Sequence, residues 1–284
     1  MTHRDDRPGA EGLYRRTLRV LLVSQVLAGA GLAAGVTVGA LLAEDMVGST
    51  GSAGLPAALL TLGSAAAAVG VGRISQRSGR RPGLAVGYAV GALGGGGVVL
   101  AAAVDSVALL FLSLVLYGSG TATNLQARYA GADLAPADRR GRAVSTVLVA
   151  TTLGAVVGPN VVGPTGDLAD AVGIPELAGP FMLATVAYAL AALAVTVLLR
   201  PDPLVTARAL DAVGRTTTTN LPTGPTATAT ATVRLGATAM VLTQLVMVAI
   251  MTMTPVHMRD HGHSVADAGL VISVHMRRCS CRRR

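Results

Sequence analysis

The 284-residue sequence contains no Trp, and aromatic residues of all kinds make up only 2% of it. Charge is scarce as well: 13% of positions carry Asp, Glu or Arg, about half the share of a soluble domain. Lys is absent, so all 23 basic residues are Arg. The only two Cys, Cys279 and Cys281, stand within six residues of the end and cannot build a disulfide framework. These shortages argue against an ordinary soluble enzyme. What fills the chain instead is small and apolar. Hydrophobic residues account for 51% and Gly for 35 positions, and the mean hydropathy is +0.58. That composition excludes a disordered chain and predicts a polytopic helical membrane protein whose small residues let helices approach closely.

A formal net charge of +8 raises the question of nucleic acid. The Arg residues, however, fall in short clusters between long apolar runs, which is a pattern of membrane topology. A bilayer core takes about 17 to 25 apolar residues per helix. Seven runs qualify: Val20–Leu42, Leu55–Val71, Gly83–Val104, Val107–Leu125, Ala143–Gly163, Phe181–Leu199 and Leu235–Met253. An eighth begins near Val265 and stops at Met276, too short to span. The first run exceeds the apolar stretch of a cleaved signal peptide, and the later spans need it for their topology.

The connectors alternate in charge. With the N-terminus inside, the inner segments hold Arg4, Arg7, Arg15, Arg16 and Arg19, then Arg73, Arg77, Arg80 and Arg81. Arg128, Arg139, Arg140, Arg142, Arg200, Arg208, Arg215 and Arg234 complete seventeen. The outer segments hold Arg259 alone, beside Glu44, Asp45, Asp105, Asp167, Asp170, Glu176, Asp260 and Asp267. Such a split orients the chain with a cytoplasmic N-terminus, in the plasma membrane.

Five regions follow: a cytoplasmic segment 1–19, a six-helix half 20–199, a cytoplasmic linker 200–234, the start of a second half 235–276, and a basic tail 277–284. The linker contains the Thr-, Ala- and Pro-rich stretch Thr216–Thr232, whose composition cannot build a core. Six spans, a long inner loop and further spans form the layout of a two-half transporter. The tail places five Arg in eight residues, which suits neither a span nor its end. It reads as a truncation or frameshift after the start of span eight; a genuine basic tail is the alternative.

Between spans two and three stands GRISQRSGRRP, Gly72 to Pro82. Gly72, Arg77, Gly79, Arg80 and Arg81 resemble the loop motif Gly-x-x-x-Asp-Arg-x-Gly-Arg-Arg of the major facilitator superfamily. Gln76 replaces the motif's Asp, which in that superfamily makes a charged contact with a neighbouring helix. A neutral amide implies a looser gate. The short turn itself needs a residue tolerant of unusual φ, and Gly79 fits it. Read without the resemblance, the same loop is a basic turn that sets topology. Span five carries GAVVGPNVVGP, in which Gly154, Gly158, Pro159 and Gly163 resemble the superfamily's Gly-x-x-x-Gly-Pro motif, notable in its exporters. Gly154 and Gly158 share one helix face and permit close packing, while Pro159 and Pro164 favour a bend. The resemblance implies an all-α helical bundle, a six-helix half plus one or two helices of a second, and transport by alternating access.

Candidate pathway residues are few. Gln25 in span one, Asn124 in span four and Asn160 in span five stand with Ser24 and Thr37 among the polar groups within the runs, and Gln126 and Arg128 follow near the inner end of span four. Arg128 reads either as a contact for an anionic substrate or, preferably, as an interfacial Arg that snorkels. No Asp, Glu or His lies deep in the first six spans, and a largely apolar cavity suits a hydrophobic or soft substrate.

Span seven aligns Met240, Met247, Met251 and Met258 within roughly 40° of one line at 100° per residue. Met and His are ligands for soft metals such as Cu(I). Met247-x-x-x-Met251 resembles a motif of the superfamily's copper-importing branch. That branch pairs it with His-x-x-x-Met in span eight, where this chain has His275 followed by Cys279. The other reading of the Met residues is a plastic packing surface. Neither a P-loop nor a hydrolase or zinc-protease motif occurs, so no enzymatic activity, cofactor or nucleic-acid partner is expected. The expected partners are the lipid bilayer and a small-molecule or metal-ion substrate.

Overall fold

The computed structural model describes residues 8–47, 55–136, 138–160, 162–215, 231, 232, 234–243 and 246. The chain forms two compact units, 1–218 and 219–284. The first holds α1 (Pro8–Val47), α2 (Leu55–Ser78), α3 (Arg80–Ala103), α4 (Val107–Ala130), α5 (Arg140–Asn160), α6 (Val162–Ala171), a 3-10 turn (Glu176–Ala178), α7 (Gly179–Leu198) and α8 (Pro203–Arg215). Among the described residues all regular structure is helical, as the composition predicts.

Among the described residues four stretches, 55–78, 80–103, 107–130 and 176–210, are long and apolar enough to cross a membrane. Their surfaces are inverted relative to a soluble bundle: Leu62, Leu93, Leu112, Leu153 and Leu193 are all more than half exposed. Apolar side chains on the outside, with backbone groups satisfied inside each helix, match an apolar solvent. The same solvent explains how α3 stays helical through Gly94, Gly95, Gly96 and Gly97. In water each Gly costs about 1 kcal/mol of helix propensity; in lipid the alternative is an unsatisfied backbone.

The small residues do the packing. A Cβ added at Gly154 would strike the Val26 carbonyl, and one at Gly29 the Thr151 carbonyl, so α1 and α5 touch backbone to backbone. Gly63 and Gly118 make the same reciprocal approach between α2 and α4, against Val115 and Leu60. The scarce aromatics are concentrated at the centre. Tyr117 meets Phe181 at 5.4 Å and Tyr188 at 5.5 Å, both edge to face, and Tyr88 stacks on Tyr188 at 6.1 Å. The Tyr117 hydroxyl donates to the Gly31 carbonyl at 2.6 Å, joining α4 to α1.

Two expectations change in detail. The first helix does not start near Val20: α1 begins at Pro8, and its Tyr14 packs in a small cluster with Ala135 and Ala143. Span five is α5 up to Asn160 and α6 from Val162, with residue 161 outside the described residues. The segment read as the start of a flexible linker is the helix α8. Asp202 precedes it and accepts hydrogen bonds from Leu204 N (2.9 Å) and Val205 N (3.2 Å). That cap, followed by Pro203 at the first helical position, specifies a helix start. Most of the Thr-rich stretch lies outside the described residues.

Candidate functional site

Two constellations stand out. The first is at the Arg-rich end, around the turn from α2 to α3. Gly79 has φ +104°, a conformation that disfavours any side chain, and a Cβ there would also meet the Asp202 carboxylate. The start of α3 has no side-chain cap of its own. Asp202 supplies one across 121 residues, its Oδ2 accepting from Arg81 N at 2.7 Å. A single carboxylate therefore closes the N-termini of α3 and α8, where the positive ends of both helix dipoles favour an anion.

The flanking residues of the motif add three further ties. Arg80 Nε donates to Asp133 Oδ2 at 2.8 Å and its Nη2 to Oδ1 at 3.4 Å, with both side chains about 15% exposed or less. Arg81 Nε donates to the Thr196 carbonyl at 2.8 Å. Arg208 on α8 donates to both Gln76 oxygens, Oε1 at 2.7 Å and the backbone carbonyl at 2.9 Å. Gln76 thus keeps a charge-assisted contact to a neighbouring helix rather than losing it. Arg77 is exposed and bonds to nothing among the described residues. Gly72 faces α4, where Gln126 Nε2 lies 4.0 Å from the position of an added Cβ.

The second constellation is buried between α1, α3 and α4. Gln25 has no exposed surface; its Nε2 donates to the Asn124 carbonyl at 3.1 Å, and its Oε1 accepts from the Tyr88 hydroxyl at 3.0 Å. The Asn124 side chain is 1% exposed, and neither its oxygen nor its nitrogen has a partner among the described residues. One turn on, the Arg128 Nε is buried and likewise unpaired. Arg128 therefore reaches into the bundle instead of simply snorkelling away from it. Gln126 points elsewhere: its Nε2 donates to the Ala68 carbonyl at 2.9 Å, and it lines a groove of about 530 Å³ with Leu32, Leu60 and Ala65. The structure brings Gln25, Asn124 and Arg128 together and leaves Gln126 apart. Asn160 closes α5, and its side chain lies outside the described part. Gly154 is buried against α1, whereas Gly163 is exposed with open space around it; Gly158 and Pro159 are helical within α5. Met247, Met251 and His275 lie outside the described residues.

The bundle, its outward apolar surface and the tied α2–α3 turn agree with comparisons to known proteins. The sequence profile of the Major Facilitator Superfamily matches residues 21–276. The chain belongs to that superfamily. It is 55% identical over 268 residues to the uncharacterized MFS-type transporter YdeG of Bacillus subtilis, covering 94% of this chain and 62% of that protein. It is 52% identical to YddS of the same organism, also an uncharacterized MFS-type transporter, covering 93% and 61%. The riboflavin transporter RfnT of Brucella anthropi is 29% identical, with coverage of 92% and 63%. The chain thus spans less than two thirds of the length of these relatives.

Sequence reasoning missed Asp133, Asp202, Arg208 and Tyr88. For Asp202 a signal existed, since Asp-Pro directly after a span is a helix-start pattern. The others are joined to their partners only by the fold.

Proposed function

We propose that the chain acts as a secondary transporter that moves a small organic solute by alternating access, in the plasma membrane with its N-terminus cytoplasmic. The observation that carries this reading is the buried trio Gln25, Tyr88 and Asn124 in an otherwise apolar bundle. Burying hydrogen-bonding groups costs free energy unless they are paired, and both polar atoms of the Asn124 side chain are left unpaired. Transporters place such groups where a solute binds. The ties around Gly79, Arg80 and Gln76 fit a gate at the cytoplasmic end.

An organic solute is favoured over copper. The soft-metal reading rests on Met247, Met251 and His275 alone, and the relatives' names add nothing to it. The one relative named for its substrate carries riboflavin, which makes riboflavin the first solute to test. The test is uptake of tritiated riboflavin, and of a panel of organic solutes, into vesicles holding the protein. Accumulation that falls at least tenfold in Gln25→Leu supports the reading. Solute levels equal to those of protein-free vesicles across the panel would leave a non-transporting membrane protein instead.

A further inference from the structure

We infer that Arg128 and Asn124 form a subsite for an anionic group of the bound solute. Both lie on one face of α4, four residues apart, a spacing that stacks their side chains along the helix. Arg128 Nε is buried without a partner, and no ion pair joins Arg128 to any acid among the described residues. Arg offers only donors and a charge that cannot be given up. Water could fill the buried Nε donor but would leave the half-buried guanidinium without a counter-ion. An oxyanion answers both demands, since a carboxylate or phosphate can take two guanidinium N–H groups at once.

Asn124 extends the recognition. Its amide nitrogen and oxygen are both free, so it donates to the anion and accepts from a neighbouring N–H or O–H of the solute. Its position is held from behind. Gln25 fixes the Asn124 carbonyl, and Tyr88 fixes Gln25. Arg128 remains partly exposed, so a solute can reach the guanidinium before it meets the amide. The ligand class is a small organic anion with a hydrogen-bond donor near its charged group. For its purpose this site rests on the transporter reading above, but its existence can be tested by binding alone.

The test uses the 284-residue protein in phosphatidylcholine nanodiscs, with its thermal unfolding midpoint measured against benzoate and against benzamide. The two probes match in shape and differ in charge. Benzoate should raise the midpoint and benzamide should not. Arg128→Met should unfold a few degrees higher than the unsubstituted protein without ligand, because an unpaired charge is replaced by an apolar chain, and it should lose the benzoate shift. Arg128→Lys should keep a reduced shift and Asn124→Leu a smaller one than the native chain. Equal shifts with both probes, no shift with either, or a lower midpoint in Arg128→Met would each overturn the inference. A lipid headgroup is the other source of such an anion. Adding phosphatidylglycerol separates the two, and an Arg128-dependent shift seen with that lipid but not with benzoate would overturn a solute subsite. Failure of uptake with an intact benzoate shift would sink the transporter reading alone. Normal uptake without the shift would sink this inference alone.

Discussion

Gly79 is held at φ +104° against the Asp202 carboxylate. A β-branched residue there meets backbone strain of about 1–3 kcal/mol and displaces the carboxylate that caps α3 and α8. Gly79→Val should therefore reduce uptake while leaving the protein in the membrane, as measured by vesicle transport beside membrane-fraction immunoblots. Wild-type uptake would reduce the turn to a topology signal. Arg80 and Asp133 allow a sharper test. Losing either partner leaves a partly buried charge without its mate, a cost of about 1–3 kcal/mol. The exchanged pair Arg80→Asp with Asp133→Arg should recover most of the thermal stability that each single substitution loses. Gln76→Glu would turn an exposed amide contact into an ion pair with Arg208, worth up to about 1 kcal/mol at such a site. It should raise stability slightly and slow transport if the contact breaks during the cycle. At this scale the motif residues were legible and their partners were not. Gly79 and Arg80 stand in a recognisable spacing, but Asp202 is 121 residues from the amide it caps and Asp133 is 53 from its Arg.

Among the helices, close approach sets the tolerance to change. The Gly154 position touches the Val26 carbonyl and Gly29 touches Thr151, so the α1–α5 contact has no room for a side chain. Gly154→Leu should cost several kcal/mol by forcing the helices apart, on the scale of overpacking, about 1–3 kcal/mol or more. The check is loss of the monodisperse peak in detergent size exclusion. Gly163→Ala, which meets open space, is the matched control and should behave like the native chain. Apolar runs marked α2, α3, α4 and α7 well because lipid demands an unbroken apolar helix. They marked ends poorly. The polar first turns of α1 carry Arg15, Arg16 and Arg19 and look like a tail until Tyr14 is seen packed on Ala135 and Ala143. α8 was hidden because a short amphipathic helix has no long apolar run; only the Asp202-Pro203 pair announced it.

For the molecule as a whole, orientation follows from Arg placement and can be checked directly. With Cys279 and Cys281 changed to Ser, a membrane-impermeant maleimide applied to intact cells should label Asp170→Cys and spare Ser78→Cys, both positions being exposed. The reverse pattern would invert the topology. The fold class was legible from composition because few architectures tolerate so little charge and so many exposed Leu and Val. The polar site was only half legible: Gln25 and Asn124 were visible as polar groups within the runs and Arg128 just past the end of one, but their meeting depends on how α1 crosses α4. The bonds that tie Asp202 and Arg208 back to the α2–α3 turn all fall within the first unit. Synthesis runs from the N-terminus, and domains generally fold as they emerge. Every partner of the staple is therefore available once Arg208 has left the ribosome.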